Sequence, residues 1–162
     1  MAKEIIPVTP AIRFLKAHNV EFESYFYKYE DKGGTRNTSV QLKVDEHQII
    51  KTLVFEDDTS KCLIVLMHGD KECSTKELAR IIGEKSVRPA TPQKATKVTG
   101  YIFGGTSPFG TRTKLDTYVE SSILELDKIY LNGGKQGFII SIKPDVVTKL
   151  LDAQAINIAI DK

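Results

Sequence analysis

The chain is 162 residues long, 41% hydrophobic and 27% charged, with a net charge of +2. Those figures fit one soluble globular domain with a full core, and they exclude disordered and collagen-like chains. The charge balance is also too even for a protein that wraps nucleic acid, whose footprint is local basic clustering or a pI above about 9.

Cys62 and Cys73 are neither a CxxC redox pair nor a zinc knuckle, so both are expected to be reduced and structural. The longest apolar run, residues 62–67, is far short of the ~18–20 residues of a membrane helix. No hydrophobic stretch of signal-peptide length opens the chain, which makes Asn37-Thr38-Ser39 a chance sequon match. A soluble, cytoplasmic protein is expected.

Thr9-Pro10 has the form of a helix start, a capping threonine before a proline at N1. Ile12, Phe14 and Leu15 then supply an apolar face, and Asn19 ends it. Residues 22–29 are aromatic-rich and predict a strand, broken by Asp31-Lys32-Gly33-Gly34. A short helix over 36–42 and a capped turn from Asp45 to Ile50 follow. Apolar runs at 52–55 and 62–67 flank the polar turn 57–60 and predict an antiparallel pair.

Ser74-Thr75-Lys76-Glu77 is a capping box with Gly83 as its C-terminal stop. Thr91-Pro92 opens another short helix, to about Lys97. A brief strand over 100–103 runs into Gly104-Gly105-Thr106-Ser107-Pro108-Phe109-Gly110. Strands at 117–120 and 128–131, a hairpin turn at Asn132-Gly133-Gly134, a return strand at 137–142 and a helix over 144–151 complete the chain. No repeat or linker interrupts it. The expectation is an α+β (mixed α/β) fold, one domain over residues 1–162.

Familiar catalytic sets are missing. No G-x-S-x-G elbow, phosphate loop or dinucleotide fingerprint is present, and His18, His47 and His68 stand singly without metal-ligand spacing. Three features remain. The three glycines around Ser107-Pro108 can expose backbone N–H groups to an anion or oxyanion, or form an ordinary turn. Lys51 at the mouth of an apolar strand can address a phosphate or carbonyl, or snorkel at the strand edge. Arg88, Lys94, Lys97, Arg112, Lys114 and Lys135 form either a basic patch or a solvated face.

The order of motifs is more specific than any one of them. Thr9-Pro10-Ala11 with Leu15, Tyr27, Ile50-Lys51-Thr52-Leu53, Thr99-Gly100-Tyr101, the 104–110 glycine loop, Ile129-Tyr130 and Asn132-Gly133-Gly134-Lys135 occur in one sequence order. Together they resemble the YbaK-type aminoacyl-tRNA deacylases, freestanding relatives of the editing domain inserted in bacterial prolyl-tRNA synthetase. The resemblance runs from about residue 9 to 152.

It implies a compact domain with a central mixed, barrel-like β-sheet flanked by short helices. It also implies hydrolytic release of a wrong small amino acid from tRNA, cysteine on proline tRNA first. With no protein nucleophile in the pattern, a water, the terminal ribose hydroxyl or a thiol on the substrate itself can attack, and substrate-assisted cleavage by the thiol is the expectation. The implied catalytic residues are Lys51, Gly104 and Gly105, and the implied substrate contacts are Tyr27, Thr106, Ser107, Pro108, Asn132 and Gly133. Asn132 stands where the family commonly has serine. No cofactor or metal is implied. The partners would be the aminoacyl-tRNA acceptor end and prolyl-tRNA synthetase, with neither membrane nor DNA. The alternatives are a non-catalytic tRNA- or synthetase-binding module, a deacylase for another small residue such as alanine, and a hydrolase of small esters or nucleotides that reuses the glycine loop.

Overall fold

The computed structural model describes residues 5–162. The helices start where the sequence places their caps. Thr9 accepts a hydrogen bond from the Ile12 N–H and opens α1 (Pro10–Ala17). Ser74 does the same for Glu77 in α3 (Thr75–Ile82), which stops at Gly83 with φ +77°. Thr91 caps α4 (Pro92–Thr99), which stops at Gly100 with φ +82°. Each cap satisfies a donor that the first turn would otherwise leave open. Between α1 and α3 lies α2 (Gly34–Leu42), which has no side-chain cap and buries only Thr38. The last helix is α5 (Asp145–Leu151).

Ten strands form three sheets among the described residues. The largest has the order β5 (Val87–Pro89), β2 (Ile50–Asp57), β3 (Cys62–His68), β6 (Asp116–Glu120) and β9 (Gln154–Ile156). Its β2–β3 pair is antiparallel, whereas β3–β6 and β6–β9 are parallel, so the sheet is mixed as expected. A three-stranded sheet orders β1 (Glu23–Phe26), β8 (Phe138–Ile142) and β7 (Ile129–Lys135). The remaining pair is β4 (Lys71–Cys73) with β10 (Ala159–Asp161). A parallel bridge from Ile49 to Tyr130 joins the three-stranded sheet to the start of β2, and the three sheets do not close into a barrel among the described residues.

Strand alternation places two cores on the two faces of the large sheet. Ile64 and Leu66 of β3 meet α1, Phe109, Leu131 and Phe138, while Leu63, Val65 and Met67 meet Leu78, Val87, Ile156 and Ile158. The second core continues past residue 152. Glu120, buried, accepts the Ile158 and Ala159 N–H groups at 2.7 and 2.9 Å and so ties that segment down.

Two expectations change. Residues 100–103 are not a strand, because Gly100 is taken up as the α4 cap and Gly104 already turns the chain at φ +83°. Asn132-Gly133-Gly134 is not the hairpin turn either. β7 runs on through Lys135 with a bulge between Asn132 and Lys135, and the chain reverses at Gln136-Gly137. The short strands β4, β5, β9 and β10 have no counterpart among the predicted elements. No helix among the described residues is long and apolar enough to cross a membrane.

Candidate active site

A cavity of about 310 Å³ lies where the two larger sheets meet. Its floor is Ile49 and Ile139, members of a small apolar cluster with Tyr130, Tyr25 and Tyr27. One wall is α2, through Gly34, Thr35 and Thr38; the opposite wall is Phe103, Gly104, Thr106 and Asn132. The start of β2 supplies Ile50, Lys51 and Thr52 between them, and Tyr27 and Tyr29 line the side. Five residues singled out from the sequence therefore share one cavity: Tyr27, Lys51, Gly104, Thr106 and Asn132.

The glycine wall is held by side chains distant in sequence. Gly105 N–H donates to Ile102 O at 2.9 Å, and Gly104 occupies the positive-φ corner of that turn. With Phe103 at negative φ, this is a type II turn. A Cβ on Gly104 would lie 2.6 Å from Tyr29 Oη, so glycine is required there for space as well as for conformation. Asn132 Nδ2 donates to Gly104 O at 2.9 Å, while its Oδ1 accepts from Gly134 N–H at 2.7 Å and Lys135 N–H at 3.0 Å. The Asn132 amide thus fastens the bulge of β7 to the turn. Gly133 packs against the Phe138 ring, and its carbonyl accepts from the α1 cap, Thr9 Oγ1, at 2.6 Å.

Gly105, Ser107, Pro108 and Gly133 are buried behind the wall rather than on its surface. Ser107 Oγ accepts the Phe109 N–H at 3.1 Å, and Tyr101 Oη donates to Phe109 O at 2.6 Å. These bonds shape the Ser-Pro segment as a support. The Gly105 amide, consumed by the turn, is not a free oxyanion donor.

Lys51 lines the cavity with its stem, and its ammonium donates to Lys71 O at 2.5 Å on β4. Burial, and then the neighbouring Lys162, holds its pKa below the ordinary lysine value. Thr52 Oγ1, also at the cavity, is buried with no hydrogen-bond partner among the described residues. Tyr29, Thr52 and Phe103 were not singled out from the sequence as site residues. Nothing local marks them, because only the fold carries Tyr29 onto Gly104 and turns Phe103 toward the mouth.

Away from the cavity, the histidines are less scattered than expected. His47, His68 and Asp70 bring ligand atoms within 4.8 Å of one another. The two rings, however, lie face to face at 3.6 Å and 6°. His68 uses Nδ1 on His47 O and Nε2 on Ser122 Oγ, both at 2.7 Å, and His47 Nδ1 contacts Asp70 at 2.9 Å. The lone pairs run parallel instead of converging, which suits a structural knot better than a metal. Of the basic residues, Arg88 and Lys94 both bind the buried Glu56 carboxylate. Both cysteines are shifted toward the inert thiol by burial, Cys73 to about 12.

Residues 34–150 match the model of the aminoacyl-tRNA editing domain, and the chain belongs to that family. A protein of Enterococcus faecalis named as a candidate Cys-tRNA(Pro)/Cys-tRNA(Cys) deacylase, EbsC, is 28% identical over 147 residues, which is 90% of each chain. The proline–tRNA ligase of Thermodesulfovibrio yellowstonii is 31% identical over 114 residues, 70% of this chain but only 18% of that much longer enzyme. A crystal structure described as a candidate trans-editing enzyme for prolyl-tRNA synthetase shares the fold, with TM-score 0.80, 21% identity and coverage of 94% and 98%.

Proposed function

We propose that this protein is a freestanding aminoacyl-tRNA deacylase that removes a small, wrongly attached amino acid, cysteine on proline tRNA first. The observation that carries this reading is a small cavity, in a member of the aminoacyl-tRNA editing family, lined by Lys51, Thr52 and the Gly104 turn. An aminoacyl ester is already activated, so positioning and stabilisation of the tetrahedral oxyanion suffice. Lys51, whose ammonium donates to Lys71 O in the absence of substrate, is the cation that would have to turn to that oxyanion or to the terminal phosphate, and Thr52 Oγ1 is an unengaged hydrogen-bonding group on the next residue.

Substrate assistance supplies the nucleophile. The cysteinyl sulfur attacks its own ester carbon, the carbon–oxygen bond to the ribose breaks, and the thiol proton ends on the ribose oxygen. The products are a cyclic thioester and tRNA with a free terminal hydroxyl. An intramolecular attack of this kind reaches effective molarities of ~10⁵ M or more when well oriented. That discriminates cysteine from serine far better than packing, where one methylene is worth about 1–3 kcal/mol. The reading calls for no cofactor, and prolyl-tRNA synthetase is its natural partner.

The deciding experiment is a deacylation panel of proline tRNA charged with cysteine, serine, alanine and proline. Cysteine should be released fastest and proline spared. Equal release of serine would replace the thiol by water or the ribose hydroxyl as attacker. Binding without release of any amino acid would make the protein a binding module.

A further inference from the structure

The mouth of the cavity carries an exposed apolar side chain. Phe103 lines the cavity and yet is 70% exposed, and its neighbour Ile102 is 58% exposed. Two adjoining exposed apolar side chains gain meaning here from their place beside a cavity. Phe103 is also held still, at the second position of the type II turn closed by Gly105 N–H on Ile102 O. Its own carbonyl accepts from Gln136 Nε2 at 2.7 Å, and the next carbonyl, Gly104 O, accepts from Asn132 Nδ2. Tyr29 packs beneath Gly104. Three anchors fix the backbone, and the ring is left facing outward.

A rigid, solvent-facing aromatic beside a cavity for an ester fits one part of the substrate. Unpaired nucleobases are recognised by stacking on aromatic faces, and the 3′ end that carries the amino acid is single-stranded. Exposed Lys32 on the cavity wall and exposed Lys135, whose backbone abuts Gly105, place positive charge near the same mouth for the adjoining phosphates. We infer that Phe103 is the stacking platform for the 3′-terminal base of the acceptor end, with the esterified ribose reaching past it into the cavity. This rests on the deacylase reading for the identity of the nucleic acid.

The test is an RNA hairpin reproducing an acceptor stem, with 2-aminopurine as the terminal base, titrated with the full chain. Stacking on Phe103 should quench its emission on binding. Phe103→Ala should abolish the quench and weaken binding by about 5-fold to 100-fold, the range that base–aromatic stacking spans. Phe103→Trp should restore both. Because the side chain is exposed, thermal midpoints should not move. Unchanged emission in the wild-type complex, or wild-type affinity and quench in Phe103→Ala, would overturn the inference. Turnover of aminoacyl-tRNA separates the two claims. Quenching without hydrolysis by wild type would keep the platform and remove the deacylase, whereas hydrolysis with an unaltered KM in Phe103→Ala would do the reverse.

Discussion

The two walls of the cavity are built by opposite means. The glycine wall is a turn cross-braced by Asn132, Gln136 and Tyr29, all more than 25 residues away in sequence, and backed by the buried Ser107–Phe109 segment. The helical wall, α2, has no side-chain cap, one buried residue and an exposed Val40. Its bonds to the rest of the chain are exposed from Asn37 and Gln41 to Lys28, and part-buried from Thr35 to Glu46 and Gly69. Few buried apolar contacts and exposed hydrogen bonds mean a low opening free energy. The glycine wall is therefore the more tightly held of the two, and α2 the more loosely held.

The sharpest test acts on the group between the walls. Lys51→Ala should lower deacylation by about 10²- to 10³-fold with the fold retained, comparable to removing one oxyanion donor; single-turnover kinetics on Cys-charged proline tRNA reads it. Rates within a few-fold of wild type would leave the walls alone responsible for catalysis. Next is Asn132→Ala, which strands Gly104 O and two N–H groups of the bulge and should cost about 1–3 kcal/mol. In a chain of this size that is a fall of roughly 2–4 °C in Tm per kcal/mol, with a raised KM. Asn132→Asp keeps the acceptor and loses the Nδ2 bond, so it should fall between.

A third test uses pH. The unfolded Cys73 thiol ionises near its ordinary value of 9, while burial holds the folded one to about 12. Between those values the unfolded chain carries fewer protons, so stability declines as pH rises, by up to ~1.4 kcal/mol per pH unit from this group. Denaturant melts from pH 8 to 11 should show the decline, and Cys73→Ala should flatten it. At pH 7, Cys62→Ser/Cys73→Ser protein should keep its deacylase activity. The smallest effect belongs to the helical wall. Gln41→Ala should change stability by under about 0.5 kcal/mol, and α2 amides should exchange with solvent faster than those of β7 and β8.

What the sequence discloses about this cavity divides along the same line. Thr9-Pro10, Ser74-x-x-Glu77 and Thr91-Pro92 announce their helices because capping is settled within four residues. Strands of three residues such as β5 and β9 carry no such signal, since their partners lie 30 or more residues away. Asn132-Gly133-Gly134 has the right chemistry for the wrong reason. Its asparagine does accept N–H groups two and three residues on, as in a turn, yet it does so inside a bulged strand where Gly133 makes room for Phe138. Lys51 and the glycine loop stand out by local pattern and Tyr27 by the order of motifs, whereas Tyr29 and Phe103 take their meaning from a turn that only tertiary contacts define.

The pairing of β1 with β8 sets a schedule for the protein's birth. Glu23–Phe26 leave the ribosome early, but their partner, Phe138–Ile142, follows more than a hundred residues later. At ~5–20 residues per second, that is a wait of roughly 5–20 s with an aromatic-rich segment unpaired. The cavity draws on Tyr27 and Tyr29 from the early segment and on Asn132 and Ile139 from the late one. A chain halted before the final hairpin therefore lacks part of the floor and of the glycine wall's bracing, and the cavity is completed only once that hairpin is in place.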